Sequence, residues 1–328
     1  MIHKMSRNNT YVVIPNWNGA DFISECLRSL QEQSLPHTVI VVDNGSIDDS
    51  IAVIEKQFPD VTLLKQPENL GFSGGVNVGI KHAIKHGADY IALLNNDAVA
   101  DKHWMKNLVA AMQANEHIGI VTSKIMLTDR QHIDSTGDFY SSWGMPFPRG
   151  RGEKDSGQFD NTEQVFAASG GASLYSTKLF EDVGFFDEDF FAYFEDVDIS
   201  FRAQLAGWSI MYEPTSIVYH RLSATSSKLG SFTRYHTGKN FHLLYLKNMP
   251  GWLLWKYLPL FTLQSLRLFA SNIKNGHGLA YFRGVLSAKR QTIKTLKKRR
   301  HIQSNRKANT AYVDSILHHG RNPRPPKL

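Results

Sequence analysis

Several short stretches of this chain combine residue types that bind cations, nucleotides or protons. In LLNNDAV, residues 93–99, Asn95, Asn96 and Asp97 directly follow an apolar run. A carboxylate with amides at a strand's end can hold a hard cation such as Mg²⁺ or Mn²⁺ through oxygen. The same residues read equally as an Asx turn capping a helix that begins near Asp101. In VVDNGS, residues 41–46, Asp43 closes an apolar run. A carboxylate there can accept hydrogen bonds from a base or ribose, while Asn-Gly is itself a strong turn signal. NLGFSGGVNVG, residues 69–79, is a glycine-rich turn entering a helix. Such a turn lets backbone amides approach an anion or a sugar. It is neither G-x-G-x-x-G nor a Walker A sequence, which weighs against a dinucleotide site and a P-loop kinase.

The densest acidic group is FAYFEDVDISFRAQLAGW, residues 191–208. At helical spacing Phe194, Val197, Phe201 and Leu205 share one stripe that should face a core. Asp198 and Arg202 form an i,i+4 pair, expected as a surface salt bridge. Glu195 and Asp196 fall at the helix start, where the backbone dipole favours negative charge. They read either as an acidic first turn or, beside aromatic walls, as a general base for a substrate hydroxyl. His220 ends SIVYHR. A lone histidine is more often structural than a ligand, and it gains weight only if it lies opposite Asp97.

These residues need a scaffold, and the first half of the chain supplies a regular one. Apolar runs at 11–15, 38–43, 61–65, 90–94 and 118–122 alternate with amphipathic helical patterns at 20–33, 46–57, 71–86 and 102–114. Ser46 is the expected cap of the second helix. Continuous apolar strands alternating with helices predict an α/β fold with a mostly parallel sheet covered on both faces. Ligands in such sheets bind at the carboxyl ends of strands, where NWNG, DNGS and NNDA all fall. Residues 129–164, with Trp143, Phe147 and Arg151 among Gly, Ser, Asp and Pro, predict a mobile substrate-side loop. Ser176 is placed to cap a following helix and Gly184 to end it. From about residue 232 helical patterns carry Trp, Tyr, Leu and Phe between Lys and Arg. A basic run follows at 288–307.

The bulk numbers fit that layout. The chain has 328 residues, 42% of them apolar, enough for a sizeable core. The net charge of +7 invites nucleic acid, an anionic membrane or a phosphate-bearing substrate. The single cysteine, Cys26, lies in an amphipathic pattern and reads as a core residue; it gives no sign of an oxidising compartment. No secretory signal is evident at the start. The most apolar window, residues 249–270, contains Lys256, Pro259, Gln264 and Arg267, and so reads as an interfacial or core element, not a span.

Taken in order, VVIPNWNG, VVDNGS, NLGFSGGVNVGI, LLNNDA, ASGGASLYS and GFFDEDFFAYFEDVDISFRAQLAGW resemble the family 2 glycosyltransferases. The match is closest to the rhamnosyltransferase-like subgroup, whose usual donor is dTDP-rhamnose. It runs from Tyr11 to His220.

The resemblance implies a GT-A fold over residues 1–230, with a nucleotide-binding part at about 8–125 and an acceptor part at about 126–230. A helical, amphipathic and basic membrane-associating region would occupy 231–310 and a disordered tail 311–328. Asp43 would contact the donor's nucleoside, with Pro15 and Trp17 nearby. Asn18, Gly74, Asn77 and Asn96 belong to the same donor-binding motifs. NND stands where the family has its metal-binding Asp-x-Asp, so Asp97 would be the main carboxylate ligand of a divalent cation, Mg²⁺ or Mn²⁺. His220 matches a second metal ligand. Glu195 and Asp196 match the acidic pair whose second member is the catalytic base. The reaction would invert the anomeric centre, moving a sugar such as L-rhamnose from a dTDP- or UDP-sugar donor to a glycan or lipid-linked acceptor.

Two other readings use the same residues. A nucleotidyl- or phosphoryl-transferring enzyme also needs a nucleotide, a metal and strand-end acids. A non-catalytic membrane- or nucleic-acid-binding protein would rest on the basic run. That run follows amphipathic Trp/Leu/Lys segments, which suit an anionic bilayer better than nucleic acid. The expected place is therefore the cytoplasmic face of a membrane.

Overall fold

A computed structural model describes residues 9–221 and 230–320. Its first half is a run of parallel strands joined by helices: β1 (Thr10–Asn16), α1 (Ile23–Gln31), β2 (Thr38–Asp43), α2 (Ser50–Gln57), β3 (Thr62–Lys65), α3 (Gly71–Lys85) and β4 (Tyr90–Leu94). β1 pairs in parallel with β2 and β4, and β2 with β3. Alternate residues of one strand serve opposite faces, as the period of two requires. Val12 and Ile14 pack with Leu27, Leu30 and Trp104, whereas Val13 packs with Val76 and Ile80 on the other side. Gly79 brings α3 close to the sheet, since a Cβ there would lie 2.4 Å from a Val13 methyl. Cys26 is fully buried in the first of these cores.

The second half completes the sheet. β5 (Ala98–Ala100), α4 (Trp104–Gln113) and β6 (Ile118–Leu127) lead to the short strands β7 (Ile133–Ser135), β8 (Asp138–Tyr140), β9 (Pro146–Pro148) and β10 (Glu163–Gln164). β11 (Ala172–Ser176) then runs antiparallel between β4 and β6. After α5 (Thr177–Val183) and α6 (Glu195–Ala206), β12 (Ser209–His220) pairs in parallel with β6. The sheet order is β10-β12-β6-β11-β4-β1-β2-β3. This mostly parallel α/β sheet is a GT-A architecture, with a helical region beyond it: α7 (Gly230–Asn248), α8 (Gly251–Lys274), α9 (Gly278–Arg290), α10 (Thr292–Ser304) and α11 (Thr310–Ile316).

Several expectations change. Residues 129–164 are pinned down rather than mobile. Lys124, with a nearly buried side chain, binds Asp155 and Asp160, and Arg149 lies over the rings of Phe159 and Tyr212. Ser46 does not cap α2, which starts four residues later; it bonds Asp43 instead. Ser176 stands at the head of α5 without a capping hydrogen bond, while Gly184 ends that helix at φ 77°. The tail from 311 is ordered as far as it is described. α11 buries Val313, and the amide of His318 donates to the carbonyl of Tyr140. Residues 321–328 lie outside the described residues.

Asp198 and Arg202 form no surface bridge. Their side chains are 0% and 6% exposed, 2.9 Å apart. The apolar stripe of α6 does face a core, where Val197, Phe201 and Leu205 meet Phe241, Leu244 and Tyr245 of α7. The polar side of α6 is covered as well. Asp198 also accepts from Lys247 at 2.8 Å and from Asn248 at 2.8 Å. Lys247 reaches Asp187, and Lys298 on α10 reaches Asp189 at 2.6 Å. A buried ion network therefore ties α6 to the C-terminal helices.

Candidate active site

A cavity of about 630 Å³ opens at the carboxyl ends of β1 and β4. Of the eleven residues expected to act in catalysis, donor binding or metal binding, seven line it: Pro15, Trp17, Asn96, Asp97, Glu195, Asp196 and His220. Four others stand outside its lining. Gly74 is buried within α3 against Leu70, and a Cβ there would lie 2.6 Å from the Leu70 side chain. Asn77 donates to the carbonyl of Phe186 and to Glu188, so it braces the segment before α6. Asn18 accepts from the amide of Ile47. Asp43 is fully buried and takes the turn role: it accepts from the amide and hydroxyl of Ser46 and from Asn16. Asn16 in turn accepts from Asn96 at 2.8 Å. A polar chain thus links Asp43 to the NND turn.

That turn follows β4 tightly, the Ala98 amide donating to the Asn95 carbonyl. This is a backbone turn rather than the Asx turn expected as a helix cap, since α4 begins only at Trp104, and Asp97 aims its carboxylate into the cavity. β5 and β12 are antiparallel neighbours with His220 opposite Ala98, which brings the imidazole to Asp97. His220 Nε2 lies 3.1 Å from Asp97 Oδ1, and Nδ1 lies 2.8 Å from Asp134 Oδ2. Burial works against charge on this ring. The hydrogen bonds to Asp134 and Asp97 outweigh it and push the pKa up to about 10. Arg151 continues the row, its Nη2 2.8 Å from Asp134 Oδ1, and it too lines the cavity.

Asp196 comes from the N-terminus of α6. Its Oδ2 accepts from the Gly170 amide at 2.9 Å and its Oδ1 from the Val197 amide at 2.8 Å. Burial raises its pKa, and those amides restrain the rise. Glu195 is buried and its Oε2 has no hydrogen-bond partner. Burial, and then the Asp196 charge, hold its carboxyl far above the usual range. Asp196 is therefore the member of the pair that ionises first. A third carboxyl, Asp138, lines the same cavity from β8. Burial and then the charge of Asp196 push it up to about 7.

The approach to α6 is strained. Phe191, Tyr193 and Phe194 have φ of 67°, 71° and 71°, a left-handed region that non-glycine residues seldom adopt. Two features hold it. The Asn240 amide on α7 donates to the carbonyls of Phe190, Ala192 and Tyr193 at 2.9, 2.8 and 2.7 Å. Gly71, at φ 71°, lets the Phe191 carbonyl approach; a Cβ there would lie 2.5 Å from that oxygen. Phe191 then stacks on His236 at 5.2 Å.

The sequence reading missed Asp134, Asp138 and Asn240. Asp134 and Asp138 sit in a stretch with no helical or strand period to place them. Asn240 had a signal: Asn240, Leu244, Lys247 and Asn248 share one face of α7, so polar groups interrupt a stripe that is otherwise apolar.

Among the described residues, no cluster of three or more His, Cys, Asp or Glu is arranged to hold a metal ion unaided. Asp97 and His220 lie side by side and would supply one hard oxygen and, once a cation displaces the proton that the raised pKa keeps on the ring, one imidazole nitrogen. That donor set fits a divalent cation whose other ligands are substrate oxygens.

Comparison with known proteins gives the family and the fold. Residues 11–184 match the family described as Glycosyl transferase family 2. The chain is 26% identical over 283 residues to the dTDP-rhamnosyl transferase RfbF of Shigella flexneri, covering 82% of this chain and 90% of that one. It is 25% identical over 237 residues to an N-acetylglucosaminyl-diphospho-decaprenol L-rhamnosyltransferase of Mycobacterium tuberculosis, covering 66% and 77%. Among solved structures, the mannosyltransferase PcManGT from Pyrobaculum calidifontis in complex with GDP-Man and Mn2+ aligns at a TM-score of 0.56. Its identity is 17%, with 88% of each chain covered. S. aureus TarS 1-349 in complex with UDP-GlcNAc aligns at 0.56 with 19% identity, covering 94% and 84%. At these identities the two structures speak for the fold alone.

Proposed function

The chain belongs to glycosyl transferase family 2, and from that premise we propose that it transfers L-rhamnose, with inversion, from a dTDP-linked donor to a hydroxyl of a lipid-linked or cell-surface glycan precursor. Family membership makes it a glycosyltransferase and sets aside the nucleotidyl-transferring and non-catalytic alternatives. The observation that carries the reading is that Asp196, Asp97 and His220 line one cavity although they come from α6, the β4–β5 turn and β12.

Asp97 and His220 would hold the divalent cation, and Asp134, through Nδ1, would fix which imidazole nitrogen faces the cavity. A cation there supplies Lewis-acid stabilisation of the departing diphosphate. The chain's own part is proton transfer and positioning. The acceptor oxygen attacks the anomeric carbon as the bond to the donor's diphosphate breaks, and the bonding pair leaves with the diphosphate. Asp196 takes the hydroxyl proton. Its raised pKa makes it a better base than an exposed carboxylate, and two backbone amides keep its orientation. The aromatic residues Phe191, Tyr193 and Phe194 wall the same cavity and suit the apolar face of a deoxysugar.

The test is a donor panel of dTDP- and UDP-sugars with the purified full chain, scored as nucleotide release with a lipid-linked acceptor, with and without Mg²⁺ or Mn²⁺. Release specific to dTDP-rhamnose supports the reading. Asp196→Asn should lower kcat by about a thousandfold while nucleotide binding persists. Full activity in that variant sinks the assignment of the base.

A further inference from the structure

The helix α8 is apolar on both sides. Leu253, Tyr257 and Phe261 face inward and are buried in the core shared with α6 and α7. The opposite side carries Trp252, Trp255, Leu263, Leu266 and Ile273, which are 65%, 67%, 45%, 61% and 57% exposed. These recur at steps of three, seven or eight residues, so they form one stripe along the helix. The stripe continues sideways. Phe269 of α8 and Phe282 of α9 are 6.1 Å apart, and Leu279 and Phe282 are 65% and 51% exposed. Ile293, at the start of α10, is 73% exposed. Patches of this extent on a folded chain mark a surface that meets something apolar.

Charge says what that partner is. Residues 214–313 contain 18 Lys and Arg and no Asp or Glu, whereas the rest of the chain has 19 Lys and Arg against 30 Asp and Glu. Part of this charge is used internally by Lys247, Lys294 and Lys298, which bind Asp187, Asp189 and Asp198. Lys239, Arg299 and Lys307 are also held within the chain, and Lys256 bridges to Asp314; among the cations left, Arg267, Lys274 and Arg283 flank the apolar stripe. Lys256, Arg267 and Lys274 are spaced by 11 and 7 residues, three and two helical turns, and so run along one edge of α8. Arg267, Lys274 and Arg283 are exposed and have no carboxylate partner among the described residues. Trp residues beside Leu and a rail of cations are what a helix presents to the interface of an anionic bilayer. No helix among the described residues is long and apolar enough to cross one.

We propose that the outer face of α8 to α10 docks the enzyme flat on an anionic lipid surface, with the Trp252–Trp255 end inserted among the headgroups and the cations set against lipid phosphates. The proposal rests on this face alone and stands whatever sugar the active site transfers.

The test uses the full chain with vesicles of phosphatidylcholine alone and with 30% phosphatidylglycerol, at low and at 0.5 M salt; the vesicle compositions and salt level are roughly those at which interfacial electrostatics are strong and then screened. Binding to the anionic vesicles, at least about tenfold above the neutral ones and reduced by salt, is expected. The Trp252→Ser/Trp255→Ser and Leu266→Asp variants should lose at least about tenfold of that binding while retaining nucleotide affinity, which shows that they fold. Equal binding by wild type and variants overturns the proposal. So does preference for duplex DNA over anionic vesicles, or a concentration-dependent dimer that Leu266→Asp abolishes, since the face would then belong to nucleic acid or to a second copy.

Discussion

Lys247 of α7 lies 2.8 Å from Asp198 of α6, with 4% and 0% of their side chains exposed. Two residues before Asp198, Asp196 faces the cavity. One turn of helix thus carries both a site carboxylate and the anchor that fixes it. Replacing Lys247 by Met would leave Asp198 and Asp187 short of a buried cation. Loss of one partner from such a pair costs about 3–5 kcal/mol. Denaturant unfolding of Lys247→Met should show a loss of this order, and a change below about 1 kcal/mol would mean that the network relaxes freely.

Asn240 offers a subtler test. Its amide serves three carbonyls of the strained turn before α6. Asn240→Ala removes that clamp, and left-handed aromatic residues each cost on the order of 1 kcal/mol or more to hold. Stability should fall by about 2 kcal/mol. The kcat should fall about tenfold, with donor affinity changed less than about threefold, because the nucleotide side of the cavity is built by other elements. Titration calorimetry beside steady-state kinetics separates the two.

Asp138 should leave a mark on the pH dependence. Its pKa in the folded chain is about 7, above the value near 4 expected when unfolded. The folded state therefore binds more protons between these values, and stability falls as pH rises through that window. Asp138→Asn removes this slope. The variant should gain up to about 4 kcal/mol over wild type at pH 8 relative to the difference at pH 4. Thermal melts across that range decide the matter.

The Asp97–His220–Asp134 row predicts a graded response to metal. Asp97→Ala should abolish the part of donor affinity that depends on Mg²⁺ or Mn²⁺. Asp134→Asn, which touches the far side of the imidazole and Arg151 but not the cation, should weaken it about 10- to 100-fold. Binding of the nucleoside alone should be unchanged in both. A metal response unaltered by Asp97→Ala removes that residue from the site.

Much of this arrangement was legible from local sequence. The strands of the first half announce themselves by apolar runs, so the residues just after them, Trp17 and Asp97 among them, could be placed at the cavity mouth before any coordinates. His220 depended on β12 lying beside β5, a pairing across more than 100 residues that no local pattern reports. Asp43 followed its own neighbours: the Asn-Gly turn and Ser46 claim its oxygens, so turn chemistry won there. Asp198 and Arg202 were misjudged for a related reason. Their i,i+4 spacing is visible on one helix, but whether that face meets water depends on α7, which comes some 40 residues later. Buried polar networks are specified by partners distant in sequence, and single-element patterns do not carry them.

The acid-free stretch has a consequence for how the enzyme comes into being. During synthesis Asp187, Asp189 and Asp198 emerge first, and the lysines that neutralise them lie at 247, 294 and 298. Asp198 already has Arg202 on its own helix, but until those lysines leave the ribosome the segment leading into α6 cannot bury Asp187 and Asp189 without uncompensated charge. The parallel half can fold early, but the helix bearing Asp196 matures only when α10 arrives. A chain cut before α10 would thus lack cations that settle the approach to Asp196, and competence for transfer would come only once α10 is made.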